Sequence, residues 1–208
     1  MADAGAKSKP KAARKSKKKS GEAATGELFD ITARLRTAAC VPALRNAIAA
    51  WRVAGYPGTT ATTRRLLAHW FETDHRLPNR LRFAYHRAQR EAVEALIYVW
   101  ECEKVRTRRA LLQRWAADLE DVPLPADDDF PRYCTKMATG SGKTKVIALA
   151  VAWQFLNAQC EEEEIAQEYA QTFLLLAPNV IVLERLKTDF AGGRIFTADP
   201  IVPRDLRI

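Results

Sequence analysis

The chain has 208 residues, 48% hydrophobic and 28% charged, enough apolar material for one sizeable core. Its longest apolar run, Val146 to Trp153, falls far short of the roughly 18 residues a bilayer span requires. The net charge of +8 belongs to one end: residues 1–20 hold eight Lys/Arg and one Asp, leaving 25 Lys/Arg against 24 Asp/Glu in all the rest.

The segment KSKPKAARKSKKKS within 1–27 has no aromatic or branched apolar residue, so a disordered Lys-rich tail is expected there. Such a tail serves equally as a solubility tail or as a sequence-independent grip on nucleic-acid phosphates. An acidic and polar stretch, SGEAATGELFD, follows in place of an apolar h-region, which argues against a secretory signal. Cys40, Cys102, Cys134 and Cys160 form no C-x-x-C pair, so they are read as reduced thiols of a cytoplasmic protein rather than zinc ligands or disulfides.

A helical leader is expected over 28–130. Leu28 to Leu35 reads as a first helix, and Pro42 to Val53 as a second with Leu44, Ile48 and Trp51 on one face. The turn Gly55-Tyr56-Pro57-Gly58 and a threonine-rich start introduce a third helix near Thr63 to Glu72. From His86 to about Ala117 a single long helix is expected, striped by Val93, Leu96, Ile97, Trp100, Leu111, Leu112 and Trp115. Residues 64–114 carry twelve Lys/Arg against six Asp/Glu, whereas 115–130 carry six Asp/Glu and no cation; a solvated helix face is the plainer reading of the first stretch. DVPLPADDDFP then reads as a loop, and His69, Glu72 and His75 as structural residues, one helical turn plus a loop being poor metal-ligand geometry.

The most informative residues are Met137 to Thr144, MATGSGKT. Arg132 to Met137 reads as a short strand before them, and Lys145 to Asn157 as a helix after them, with Val146, Leu149, Ala150 and Trp153 at helical spacing. Strand, glycine loop and helix is the order a phosphate-gripping loop needs: glycines let backbone N–H groups close on phosphate oxygens, and the helix N-terminus adds unpaired donors and a favourable dipole. Thr139, Gly140, Ser141, Gly142, Lys143 and Thr144 would cradle a nucleoside triphosphate, Lys143 reaching the β and γ phosphates and the Thr144 hydroxyl ligating Mg²⁺. The longer form of the pattern expects Gly or Ala where Met137 stands. Beyond an acidic loop, Thr172 to Ala177 (TFLLLA) reads as a buried strand completing a right-handed parallel β-α-β unit, Val180 to Phe190 as a helix, and Arg194 to Ala198 as a third strand.

FAYHRAQREAVEAL, MATGSGKT and FLLLAPNVIVLERL, in that order, resemble the nucleotide-binding start of superfamily-two DEAD/DEAH-box helicases and translocases, most closely the type III restriction enzyme Res subunit-like branch. The resemblance implies an α/β fold: the helical leader followed over 131–208 by an incomplete RecA-like P-loop lobe with a parallel sheet. It also implies roles. Gln89 would hydrogen-bond the adenine edge of ATP with Tyr85 stacking nearby, and Pro178 and Asn179 would touch a DNA backbone. The implied partners are DNA and a modification or specificity subunit.

Hydrolysis in that class needs a strand-end Asp-Glu pair and arginines from a second motor lobe. Neither is evident after Thr144: Glu161 to Glu164 follow no apolar strand. The expectation is therefore the ATP-binding N-terminal portion of a longer motor, not hydrolytically competent alone. Two alternatives stay open: a P-loop GTPase, for which Asp189-Phe190-Ala191-Gly192 supplies a D-x-x-G, and a non-catalytic DNA-binding protein with a relic loop.

Overall fold

The computed structural model describes residues 40–77, 79–116, 126 and 130–206. The tail, the helix expected at Leu28 to Leu35 and most of the loop expected at 121–131 lie outside the described residues.

Helix α1, Val41–Val53, carries Pro42 in its first turn, where a missing N–H leaves no bond unmade, and turns Ile48 and Trp51 inward. Thr60 starts α2, Ala61–Phe71, its hydroxyl accepting from Thr63 N at 3.0 Å, a cap worth about 1 kcal/mol. Leu66, Leu67 and Trp70 form its buried face. Two short strands that the sequence reading did not anticipate, β1 (His75–Arg76) and β2 (Arg82–Phe83), pair antiparallel with His75 opposite Phe83. Two residues per strand are too few to leave a readable period.

The long helix expected from His86 to Ala117 is broken. Helix α3 spans Arg87–Ile97, a π-helical turn follows at Tyr98–Cys102, and α4, Arg108–Trp115, restarts behind a Thr107 cap that accepts from Ala110 N at 3.1 Å. The cause is Glu101, 3% exposed, which accepts from Thr60 N at 2.6 Å, the Thr63 hydroxyl at 2.8 Å and the Trp153 indole at 3.0 Å. A buried carboxylate must be satisfied, and the wider turn re-aims the side chain to reach all three donors.

Helix α5, Lys143–Cys160, is apolar nearly all round and runs through the middle of the core, packing against α2 and α3. Leu149, Trp153 and Leu156 bury against Leu66, Leu67, Val93 and Ile97, each such side chain contributing about 1.5–3 kcal/mol by leaving water. The expected leader and the loop-bearing helix thus share one hydrophobic core. The expected loop after Cys160 contains one helical turn, α6, Glu163–Ala166, and Tyr169, which packs beside Trp100 and Trp153.

Three strand expectations need correction. Residues 132–137 and 172–177 have no ladder partner among the described residues, where the β1–β2 ribbon is the sheet present; no parallel β-α-β unit forms between them. Nor is 172–177 buried: Phe173 and Leu175 are half-buried while Leu174 and Leu176 are each 82% exposed, the alternation of a strand with one face in solvent. Strand propensity is local, whereas a ladder requires a neighbour. Helix α7, Val180–Phe190, is as expected, but Arg194 to Ala198 is a helix, α8 (Arg194–Ala198), entered through a 3₁₀ turn at Ala191–Gly193. Gly192 and Gly193 sit at φ +61° and +69°, so the chain folds back at once and Ile195 is buried.

Candidate nucleotide-binding site

The expected glycine loop is formed as a turn running straight into α5. Gly140 (φ +80°) and Gly142 (φ +81°) occupy the left-handed region that glycine adopts without strain. Ser141 N and Oγ both face Ala138 O, at 3.4 and 2.7 Å, which tightens the turn. Among the described residues the amides of Gly142, Lys143 and Thr144 donate to nothing, leaving the helix N-terminus with free donors and its positive dipole end toward the loop. The Lys143 ammonium folds back onto Ala138 O at 2.8 Å, a neutral acceptor that a phosphate oxygen would readily replace.

Gln89 is brought directly against this loop although 52 residues separate it from Ser141. It is 2% exposed, its Oε1 accepts from His86 N at 2.9 Å, and its Nε2 donates to Ser141 O at 3.1 Å. A Cβ on Gly142 would lie 2.1 Å from that Nε2, so glycine is required there for space as well as for φ. Tyr85, the expected stacking residue, packs among other aromatic rings. Its ring meets the edges of Phe83 and Phe71 at 5.0 and 6.0 Å, its hydroxyl donates to Pro200 O at 3.4 Å, and burial, then the charge of Asp199, raises its pKa.

A cleft of about 680 Å³ opens beside the loop, within the range of small-molecule sites. Thr139, Gly140, Gly142, Lys143 and Thr144 form one wall. The other is one face of α7, with Val182, Arg185 and Asp189, and one face of α8, with Arg194 and Ala198. Lys145 and Asp199 join the walls as an ion pair with N–O 2.5 Å, and the Lys145 ammonium lies 4.9 Å from the Phe83 ring centre. Lys145, Arg185, Arg194 and Asp199 were not singled out from sequence; they carry no motif and converge only because the glycine turn folds α8 back.

Pro178 and Asn179 lie outside this cleft's lining, exposed at the start of α7, where the Asn179 side chain accepts from Val182 N at 3.0 Å as the helix cap. Asp189 of the D-x-x-G stands in the last turn of a helix, not at a strand end.

The loop's chemistry fits a Mg-nucleoside triphosphate: free amides, two left-handed glycines with open space beside Gly140, a lysine on a replaceable acceptor, and Thr144 in the cleft lining. No curated protein and no solved structure matches the chain. Residues 82–200, more than half of it, match the family described as type III restriction enzyme, res subunit, a helicase-type family, and the span takes in Gln89, the whole loop, α5, α7 and α8. The chain therefore belongs to the type III restriction enzyme Res subunit family.

Proposed function

We propose that this chain is the ATP-binding portion of an ATP-dependent DNA helicase or translocase of a restriction-modification or related DNA-processing system. The observation that carries the reading is the glycine loop between Gln89 and the α7–α8 wall, inside the family match. Lys143 neutralises the β and γ phosphates and the Thr144 hydroxyl ligates Mg²⁺. Gln89 takes the adenine edge; because its amide already holds Ser141 O, base recognition and loop geometry would be coupled through one side chain, with a second Nε2 proton left for the base. Pro178 and Asn179, exposed at the start of α7, contact the DNA backbone. A RecA-like fold, which the family match implies, belongs to the same proposal.

Calorimetry or a fluorescent nucleotide tests it: Mg-ATP binds, GTP competes poorly, and Lys143→Ala removes most of the affinity. Equal affinity of wild type and Lys143→Ala would overturn the site assignment, and preference for GTP would favour the GTPase alternative.

A further inference from the structure

Two arginines without an assigned role line the cleft that the loop opens onto. Arg185 lies on the face of α7 that lines the cleft, and Arg194 opens α8 on the same side. Asp189 is the natural i,i+4 partner of Arg185, yet no ion pair within 4.0 Å joins them, and Glu184 pairs with Lys187 instead. The other carboxylate of the cleft, Asp199, is held by Lys145. Among the described residues neither arginine has a hydrogen bond from its side chain or an ion pair, so both remain available to an anion. With Lys145 and Asp199 cancelling, the cleft presents Lys143, Arg185 and Arg194 against Asp189 alone, a field that favours a polyanion between the walls.

The placement is built by the backbone. Arg185 and Arg194 are nine residues apart on different helices, and they share a wall because Gly192 and Gly193 (φ +61° and +69°) reverse the chain between them. Ile195 in α8 and Ile201 just after it are buried and hold α8 in place, with the Trp70 indole donating to Ile201 O at 2.7 Å.

We propose that Arg185 and Arg194 are phosphate-binding residues that engage the triphosphate from across the cleft, so that part of the arginine charge this class draws from a second lobe comes from the same lobe as the loop. This rests on the reading of the loop as a triphosphate site. Planar guanidinium donors suit phosphate oxygens, and each charge-assisted contact is worth about tenfold in affinity.

The test is equilibrium binding of fluorescent ATP and AMP to the full chain, with wild type, Arg185→Ala, Arg194→Ala, the double variant, Arg185→Lys and Lys143→Ala compared, each checked by circular dichroism. The expected result is a loss of about tenfold in ATP affinity for each single alanine variant, a larger loss for the double variant, little change in AMP affinity, and partial recovery in Arg185→Lys. Unchanged ATP affinity in the folded double variant, with Lys143→Ala still defective, overturns this inference and leaves the loop assignment standing. Equal losses for ATP and AMP also overturn it, since the arginines would then hold the cleft's shape and not the phosphates. Indifference of ATP binding to Lys143→Ala overturns the site reading itself.

Discussion

Gly140 and Gly142 share a backbone conformation but not an environment. Nothing lies within 4 Å of a Cβ on Gly140, whereas one on Gly142 would strike the Gln89 amide at 2.1 Å. Gly140→Ala is therefore expected to cost only left-handed strain, about 1 kcal/mol. Gly142→Ala should cost about 3 kcal/mol and most nucleotide binding, because either the Gln89–Ser141 contact breaks or the loop shifts. Thermal melts with parallel ATP titrations check the pair; equal losses for the two variants would mean that Gln89 does not brace the loop. The glycines were legible as loop residues from the motif, but the clash partner was not, since it comes from 53 residues upstream of Gly142.

Between elements, the firmest polar tie is Glu94 on α3, 0% exposed and bonded by Arg52 of α1, by Arg90 Nε at 2.8 Å and by the Tyr56 hydroxyl at 2.8 Å. Tyr56 accepts a left-handed backbone (φ +60°) to reach it, and burial pushes the phenol up to about 12. Burial alone would raise the Glu94 pKa, but the bonds from Arg52, Arg90 and Tyr56 together outweigh it and leave it below the ordinary value. A carboxyl with a depressed folded pKa contributes stability that is complete above the unfolded value, about 4.3, and is lost as pH falls through the folded one. Denaturant melts should therefore show an acid-side decline below about pH 4.3 that is reduced in Glu94→Gln. At neutral pH that substitution should cost about 3 kcal/mol, two arginines having lost their carboxylate. A Glu94→Gln curve parallel to wild type across this range would remove Glu94 as the cause. The α1, α2, α5 and α7 helices were legible from apolar spacing and caps. The break of the predicted long helix was not, because its cause, Glu101, is satisfied by Thr60, Thr63 and Trp153 from two other helices.

At the scale of the whole chain, the proposed phosphate loop is followed in the sequence by no apolar strand ending in an Asp-Glu pair. Groups of that kind each account for two to three orders of magnitude in rate, roughly 3–4 kcal/mol. The 208-residue chain is therefore expected to bind Mg-ATP with negligible turnover, even though Arg185 and Arg194 face the loop. DNA-stimulated phosphate release of about 1 per second, lost in Lys143→Ala, would overturn that expectation. The basic residues of 1–20 are a separate matter. If they meet DNA phosphates, log K should fall against log salt with a slope as steep as about −7, flattened by deleting 1–20; an unchanged slope would move the DNA contact to the rest of the chain.

By itself the sequence determined the glycine loop, the helix that follows it and the family, because each depends on residue types at fixed short spacings: glycines for φ, a Lys-Thr pair at the helix start, apolar residues every third or fourth position. Tertiary structure alone decided that Gln89 braces Ser141, that Arg194 to Ala198 is a helix despite its strand-like composition, and that Arg185 and Arg194 share a wall facing Lys143. Those outcomes depend on which distant groups meet, on burial that outweighs local propensity, and on two left-handed glycines whose direction of turn is fixed only once Ile195 and Ile201 are packed.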